Sequence, residues 1–254
     1  MALNLIVLGP PGAGKGTQAE RLARVRGVPK VSTGDMLREA VHDDTEIGRR
    51  VKTTMERGEL VSDEVMTGIV RERLERPDAA SGFVLDGFPR TVGQAVSLDS
   101  IVDGRGPLIV VDIVVPKEEI ARRLGARMIC ADCGANAGSF ANAANPVADI
   151  LAVPAGVAAR VAAVAASRPP IDPHRCARCG GRLVQRADDD AAVVLERLKV
   201  YHRQTEPLVE YYRKRPTFRS VNGALPPDQV ATALAAAIDG AAAGTISTGG
   251  GVAR

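Results

Sequence analysis

The sequence predicts an α/β fold built on a doubly wound parallel sheet, with two segments inserted at the ligand-binding edge of that sheet. Three observations support this prediction. Short apolar runs of the kind that form strands buried on both faces alternate with helical stretches. A glycine-rich loop separates the first such run from the first helix. The length of 254 residues allows one large core with inserted subdomains.

The predicted elements alternate along the chain as strands and connecting helices. Strands are expected at residues 3–8, 83–85, 108–115 and 218–221. Helices are expected at residues 14–25, 91–101, 116–126, 191–213 and 227–239. Residues 32–76 are predicted to form polar helices without a strand, and residues 127–189 contain the cysteines and show little helical periodicity. These two segments are the expected insertions.

Composition indicates an ordinary globular protein, with 45% hydrophobic and 25% charged residues. A net charge of +3 is too small to demand a nucleic-acid or membrane partner. The sequence has neither a leader segment nor the run of about 18 apolar residues that a membrane helix needs, so we expect a cytoplasmic protein without a spanning segment. Residues 241–254 are rich in Gly, Ala and Thr and are expected to be disordered.

The glycine-rich loop reads GPPGAGKGT from residue 9 to residue 17. Its position between a strand and a helix is the context of a phosphate-binding loop. Backbone N–H groups of the loop and of the helix N-terminus can bind phosphate oxygens, and Lys15 adds a charge for the β- and γ-phosphates. Thr17 is expected near a magnesium ion. The nucleotide-binding residues predicted here are Gly12, Ala13, Gly14, Lys15, Gly16 and Thr17.

The four cysteines form two C-x-x-C pairs, Cys130 with Cys133 and Cys176 with Cys179. In a chain expected in a reducing compartment, this pattern favours metal binding over disulfides, and four thiolates suit a tetrahedral structural zinc site. The interval between the pairs is longer than the about 15–20 residues of the usual motif, but the entropy of loop closure grows only logarithmically with length. Free thiols or a redox pair are the alternatives.

Four segments resemble the adenylate kinase family in order and spacing, and the resemblance extends across nearly the whole chain. The first is the phosphate loop. Because Gly16 follows the lysine directly, the hydroxyl residue stands one position later than in the generic motif, as in nucleoside monophosphate kinases. The others are STGDMLR at residues 32–38, GELVSD at 58–63 and DGFPRT at 86–91. The resemblance implies a kinase that transfers a phosphoryl group from MgATP to AMP.

The resemblance also implies a division of the chain into a core and two mobile parts. The core would comprise residues 1–31, 62–126 and 190–240. Residues 32–61 would form an AMP-binding flap, and residues 127–189 a lid with two zinc knuckles. Within the lid, no function is assigned to the unusual Ala-rich insertion at 135–175.

For the AMP site, the resemblance implies that Arg38 and Arg90 bind the phosphate and that Gln94 reads the adenine edge. Arginine suits this role because its planar fork matches phosphate oxygens and keeps its charge. Thr33 and Gln94 are similar to AMP kinases, whereas relatives acting on UMP or CMP typically have Ala and Asn there. The residues implied for AMP are Thr33, Arg38, Glu59, Leu60, Val61, Gly87, Phe88, Pro89, Arg90, Gln94, Arg186 and Arg197.

For the ATP site, the resemblance adds Asp86, Arg127 and Leu225 as binding residues. Asp86 follows an apolar strand and suits the water shell of a magnesium ion. One departure is Met128, which stands where the family often has a second arginine after Arg127. The catalytic residues implied are Lys15, Arg90, Arg123, Arg127, Arg186 and Arg197.

Other functions remain alternatives on sequence alone. Two are enzymatic: a kinase of another nucleoside monophosphate, and a GTP-using AMP phosphotransferase. A third is a nucleotide sensor without turnover. A zinc-ribbon nucleic-acid-binding ATPase is disfavoured because the chain lacks interleaved aromatics or a concentrated basic stripe. We expect ATP and AMP as ligands, Mg²⁺ and a structural Zn²⁺ as cofactors, and a monomer without a nucleic-acid or membrane partner.

Overall fold

The computed structural model describes residues 2–125, 127–133, 175–176, 178–185 and 190–248. The insertion expected at 135–175 lies outside these residues except for Arg175, and the predicted site residue Arg186 also lies outside them.

A five-stranded parallel sheet forms the centre of the protein, and a small antiparallel pair of strands lies apart from it. The strands of the described residues are β1 (Leu3–Leu8), β2 (Lys30–Ser32), β3 (Gly82–Asp86), β4 (Leu108–Val114), β5 (Met128–Cys130), β6 (Leu183–Gln185) and β7 (Phe218–Asn222). The central sheet has the order β2-β3-β1-β4-β7, and all its pairs are parallel. Because β1 pairs with β3 on one side and β4 on the other, the loops that follow these strands meet at one edge, where open parallel sheets bind ligands.

Helices cover both faces of this sheet. They are α1 (Lys15–Arg26), α2 (Thr33–His42), α3 (Glu46–Glu56), α4 (Asp63–Glu75), α5 (Val92–Ile101), α6 (Lys117–Gly125), α7 (Ala191–Val200), α8 (Pro207–Arg213) and α9 (Pro227–Thr248). A π-helical turn, Tyr201–Thr205, connects α7 to α8. Among the described helices, none combines the length and the apolar character needed to cross a membrane.

Two apolar clusters form the core, one on each face of the sheet. Successive side chains of a strand point to opposite faces, so Ile6 and Leu8 of β1 contribute to one cluster, and Leu5 and Val7 to the other. The first cluster also contains residues of α4, α5 and α8, and the second contains residues of α1, α6 and α9. Both faces of β1 are therefore buried, which explains its nearly uninterrupted apolar sequence.

The doubly wound parallel fold predicted from the sequence is confirmed, with four differences. The strand β2 was not predicted, because it has three residues and begins with the charged Lys30; its pairing with β3 determines it. The helix predicted at 191–213 is interrupted by the π-helical turn. The strands β5 and β6 were not predicted; they form an antiparallel pair, in which Met128 lies opposite Gln185.

The fourth difference concerns the C-terminal residues, which were expected to be disordered from residue 241 onward. That expectation is wrong as far as Thr248, because α9 extends to this residue instead of ending at 239. Ala241 is 1% exposed and belongs to the second apolar cluster. A run of alanines gives a weak hydrophobic periodicity, so the sequence does not reveal the helix. The small side chains nevertheless allow the helix to pack closely on the sheet. Residues 249–254 lie outside the described part of the chain.

Candidate active site

The phosphate loop connects the end of β1 to the start of α1. Gly14, the residue before α1, adopts a left-handed conformation with φ of 92° and provides no side-chain cap for the helix. The first N–H groups of α1 are therefore left for an anion. Gly12 also has a positive φ, 84°, and a Cβ there would lie 2.9 Å from Leu124 Cγ. The loop thus needs glycine at both positions.

Lys15 folds back over the loop that precedes it. Its Nζ donates hydrogen bonds to the backbone oxygens of Gly9 and Pro10, at 2.7 and 2.8 Å. Burial lowers the pKa of Lys15 to about 8; the nearby carboxylate of Asp86 opposes this shift, while Arg90 and Arg197 add to it. The site therefore concentrates positive charge around this ammonium group.

Asp86, the last residue of β3, faces the start of α1. A Cβ at position 16 would lie 3.2 Å from Asp86 Oδ2, which is closer than a side chain normally tolerates. The glycine that distinguishes this loop from the generic phosphate loop is therefore explained by the carboxylate beside it. Asp86 is 9% exposed. A carboxylate and a threonine hydroxyl at the mouth of a phosphate loop form a donor set that fits Mg²⁺.

Two cavities open at this edge of the sheet. The loop cavity contains every predicted residue of the phosphate loop from Gly12 to Thr17, and its other lining residues include Asp86, Arg123, Arg127 and Leu225, together with Met128. The flap cavity lies between the phosphate loop and the segment α2–α3. Its predicted residues are Lys15, Thr33, Arg38, Glu59, Leu60, Val61, Gly87, Pro89, Arg90, Gln94 and Arg197. Phe88 is not among its lining residues, because its side chain is 1% exposed and packs in the first apolar cluster.

Four cations line both cavities: Lys15, Arg38, Arg90 and Arg197. They come from α1, α2, the loop after β3 and α7, so four separate parts of the chain supply them. The position of Arg197 depends on Gly58, since a Cβ there would lie 2.8 Å from Arg197 Cγ. The two cavities therefore meet at a concentration of positive charge suited to phosphate groups from both sides.

Hydrogen bonds position the side chains of the flap cavity. The hydroxyl of Thr33 donates to Gly87 O at 2.9 Å, and Arg90 Nε donates to the same oxygen at 2.8 Å. Gln94 is held on both sides of its amide: Oε1 accepts from the N–H of Arg90 at 2.7 Å, and Nε2 donates to Asp63 Oδ1 at 2.8 Å. Both Thr33 and Gln94 are 1% exposed.

Arg38 forms an ion pair with Asp35, which also contacts Lys30 at 3.0 Å. Burial would raise the pKa of Asp35, but Lys30 and Arg38 together hold it well below its usual range. The guanidinium of Arg38 is thus oriented by a carboxylate that remains ionised.

Arg123 links three parts of the loop cavity. Its Nε donates to Glu119 at 2.7 Å, and its terminal nitrogens reach Gly223 O at 2.8 Å and Ala13 O at 3.4 Å. Hydrogen bonds from Arg122 and Arg123 lower the pKa of Glu119 to about 2. Leu225, from the loop after β7, is 37% exposed at the rim of this cavity.

The structure adds residues that the sequence analysis did not assign. Tyr201 and Thr205 of the π-helical turn line the flap cavity, and the Thr205 hydroxyl donates to Arg90 O at 2.9 Å. No motif marked them, because their position depends on an extra residue within a helical turn. Asp63 does stand in the GELVSD segment, but its contact with Gln94 joins residues far apart in sequence.

The four cysteines come together beside β5 and β6, with all four Sγ atoms within 4.8 Å of one another. The Sγ atoms of Cys130 and Cys179 are 3.4 Å apart, and those of Cys133 and Cys176 are 3.7 Å apart. These values lie near the about 3.8 Å expected between thiolates around a tetrahedral zinc ion with bonds of about 2.3 Å. None of the four forms a disulfide.

Local backbone geometry around the cysteines also suits a metal. The backbone N–H of Cys133 lowers the pKa of the Cys130 thiol to about 7, which favours its thiolate form. The N–H of Arg178 donates to Cys176 Sγ at 3.4 Å. A Cβ at Gly181 would lie 2.8 Å from Cys130 Sγ. The cluster could therefore hold one tetrahedral ion.

Comparison with known proteins agrees with these observations. The sequence model of the family described as adenylate kinase matches residues 7–217. An adenylate kinase of Archaeoglobus fulgidus is 45% identical over 223 residues, which are 87% of this chain and 91% of that protein. Adenylate kinases of Moorella thermoacetica and Bacillus pumilus are 44% and 42% identical, over 87% of this chain and 91% of each relative. The prediction made from the motifs is confirmed: this chain belongs to the adenylate kinase family.

Proposed function

We propose that this chain catalyses the reversible transfer of the γ-phosphoryl group of ATP to AMP, which yields two molecules of ADP. The observation that carries the proposal is the meeting of the loop cavity and the flap cavity at Lys15, Arg38, Arg90 and Arg197. Two nucleotides with their phosphates directed at one another need such an arrangement. Phosphoryl transfer depends mainly on alignment and on neutralisation of charge.

The loop cavity is the proposed site of ATP. The uncapped N-terminus of α1 and the backbone of the phosphate loop would bind the phosphates, and Lys15 would leave the carbonyls of Gly9 and Pro10 for the β- and γ-phosphates. The base would lie near Leu225 at the rim of this cavity, and Arg123 would approach the phosphates. Asp86 and Thr17 would hold Mg²⁺, whose charge offsets that of the phosphate oxygens.

The flap cavity is the proposed site of AMP. Arg38 and Arg90 would bind its phosphate, with Thr33 and Gln94 at the base. In the reaction, an oxygen of the AMP phosphate attacks the γ-phosphorus of ATP, and the bond to the bridging oxygen of the β-phosphate breaks. The electron pair of that bond leaves on ADP, and the cations at the junction stabilise the charge of the transferred group.

The segment 127–189 is the proposed lid. A zinc ion bound by Cys130, Cys133, Cys176 and Cys179 would hold it together. Four thiolates fill a tetrahedral coordination sphere, so the ion would be structural. Arg127 and Arg186 would approach the phosphates when the lid closes, which would also exclude water from the reaction. We further propose a cytoplasmic monomer, since paired C-x-x-C cysteines that bind a metal are typical of a reducing compartment.

The direct test is formation of ADP from ATP and AMP, measured with Mg²⁺ and again with EDTA. We expect ADP to form only with Mg²⁺, and only when both nucleotides are present. GMP, CMP and UMP in place of AMP, and GTP in place of ATP, separate the alternative kinases. Efficient turnover of CMP or UMP would favour a broader kinase. Binding of both nucleotides without ADP formation would favour a nucleotide sensor.

A further inference from the structure

Gln94 lines the flap cavity and is hydrogen-bonded to Asp63, an exposed residue that is not among the lining residues of that cavity. Asp63 is the first residue of α4, and Gln94 lies in the first turn of α5. Asp63 Oδ1 accepts from Gln94 Nε2 at 2.8 Å, while Asp63 Oδ2 accepts from the hydroxyl of Thr91 at 2.7 Å. The Thr91 hydroxyl also accepts from the N–H of Gln94 at 3.1 Å, which fixes the start of α5.

The two partners of Gln94 determine which way its amide faces. A glutamine side chain has nearly the same shape when its amide is rotated by half a turn, so only its hydrogen-bond partners decide the orientation. An ionised Asp63 can only accept hydrogen bonds, and the backbone N–H of Arg90 can only donate one. Rotation of the amide would set Oε1 against a carboxylate and the NH₂ group against an N–H. Two unfavourable contacts would result, and both would involve the amide of Gln94, a residue that is 1% exposed.

With this orientation, the amide of Gln94 keeps one hydrogen on Nε2 and one lone pair on Oε1. These match the edge of a 6-aminopurine, in which the ring nitrogen N1 accepts and the 6-amino group donates. A 6-oxopurine has the opposite pattern, because its N1 carries a hydrogen and its O6 accepts. An amide free to rotate could accommodate either base, whereas a fixed amide accommodates only the first.

We propose that Asp63 is a positioning residue that sets the acceptor-base specificity of this enzyme by fixing the orientation of the Gln94 amide. The inference rests on the proposed function, in which the flap cavity holds AMP. Asp63 itself need not contact the substrate. Thr91 supports it from the other side, and the absence of a side chain at Gly93 leaves room for it, since a Cβ there would lie 3.1 Å from Asp63 Oδ2.

The test compares AMP with IMP, which carry the same ribose and phosphate but differ at the 6-position of the base. We expect Asp63→Ala to lower the ratio of kcat/KM for AMP to kcat/KM for IMP by about tenfold, mainly through a higher KM for AMP. The KM for ATP should not change. Glu64→Ala is the matched control, because Glu64 is the other acidic residue in the first turn of α4. It should leave the ratio within about twofold of wild type.

Two further variants separate positioning from a general structural effect. In Asp63→Asn the side chain has the same size, but one carbonyl oxygen must accept hydrogen bonds from both Thr91 and Gln94. The ratio of kcat/KM for AMP to kcat/KM for IMP should therefore lie between the values for the wild type and Asp63→Ala. In a Gln94→Leu background, Asp63→Ala should not change the ratio further, because the amide through which it acts is gone.

The inference would be overturned if the ratio of kcat/KM for AMP to kcat/KM for IMP stayed at the wild-type value in both folded Asp63 variants, for example because kcat/KM fell equally with both acceptors. A further drop in the Gln94→Leu background would do the same. The proposed function has its own readout in these assays. If wild-type enzyme formed no ADP from ATP and AMP, the acceptor itself would be wrong, whereas an active enzyme with an unchanged ratio would reject only the part assigned to Asp63.

Discussion

Gly16 lies against Asp86 so closely that a Cβ at position 16 would come within 3.2 Å of Asp86 Oδ2. The contact joins the residue after the phosphate-loop lysine to the carboxylate at the end of β3. It explains why the hydroxyl residue of the loop, Thr17, comes one position later than in the generic phosphate loop. The absence of a side chain at position 16 therefore leaves room for the carboxylate proposed to hold Mg²⁺.

The first prediction follows from this contact. Gly16→Ser should lower kcat by about tenfold or more, because the added side chain displaces Asp86 or the loop by a fraction of an ångström. It should also raise the Mg²⁺ concentration needed for half-maximal rate. Steady-state rates over a Mg²⁺ titration measure both effects. Gly68→Ser is the control, since a Cβ at Gly68 meets nothing within 4 Å; a wild-type Mg²⁺ dependence in Gly16→Ser would contradict the prediction.

The second prediction concerns the protonation of Lys15. Burial lowers the pKa of Lys15 to about 8 in the nucleotide-free enzyme, and phosphate oxygens favour its charged form. ATP binding should therefore take up a proton above pH 8, and the affinity for ATP should weaken as the pH rises through that value. Calorimetry at pH 9 in two buffers of different ionisation enthalpy measures the uptake. The terminal phosphate of ATP has a pKa of about 6, well below pH 9, so it does not contribute to the proton uptake measured there.

Lys15→Met provides the control for that measurement. The variant should bind ATP more weakly, and its binding should show no proton uptake at pH 9. Equal uptake in wild type and variant would assign the proton to another group.

The third prediction concerns Arg90, which lines both cavities and donates to Gly87 O. Arg90→Ala should reduce ADP formation by more than about tenfold, because the charge of the transferred group loses one of its stabilising cations. Arg71→Ala, on the exposed surface of α4, is a matched control and should leave the rate unchanged. Near-normal turnover of AMP by Arg90→Ala would show that the acceptor site is misassigned.

The fourth prediction concerns the cysteine cluster. One zinc ion per chain should be found by elemental analysis, and Cys176→Ser should release it and lower the melting temperature. Nucleotide binding at the phosphate loop should persist, because that loop belongs to the central sheet, apart from β5 and β6. A chain purified under reducing conditions without metal, and with a melting temperature indifferent to zinc and to Cys176→Ser, would exclude the site.

The fifth prediction concerns the end of α9. Removal of residues 241–254 should lower the melting temperature by about 5 °C, because Ala241 and Ala242 contribute to the second apolar cluster. Removal of residues 249–254 alone should have little effect. Equal melting temperatures for the two truncations would show that the last turns of the helix do not contribute to stability.

Much of the fold and the site follows from local sequence. The phosphate loop is recognisable because its glycines, Lys15 and Thr17 interact with phosphate through their own backbone and side chains. The strands β1, β3 and β4 are recognisable because burial on both faces demands continuous apolar runs. The strand β2, by contrast, consists of three residues, and only its pairing with β3 makes it a strand.

The sequence by itself determined the fold class, the phosphate loop, the two cysteine pairs and, through the resemblance of its motifs, the family. Only the tertiary structure decided that the four Sγ atoms lie within 4.8 Å of one another. It alone also decided that Asp86 leaves little room for a side chain at position 16, and that Asp63 orients the amide of Gln94. These relationships join residues distant in sequence, and each depends on side-chain positions that the packing of the sheet and its helices sets. The local pattern of a sequence shows periodicity and residue chemistry. It does not show such distances, because they arise from the fold as a whole.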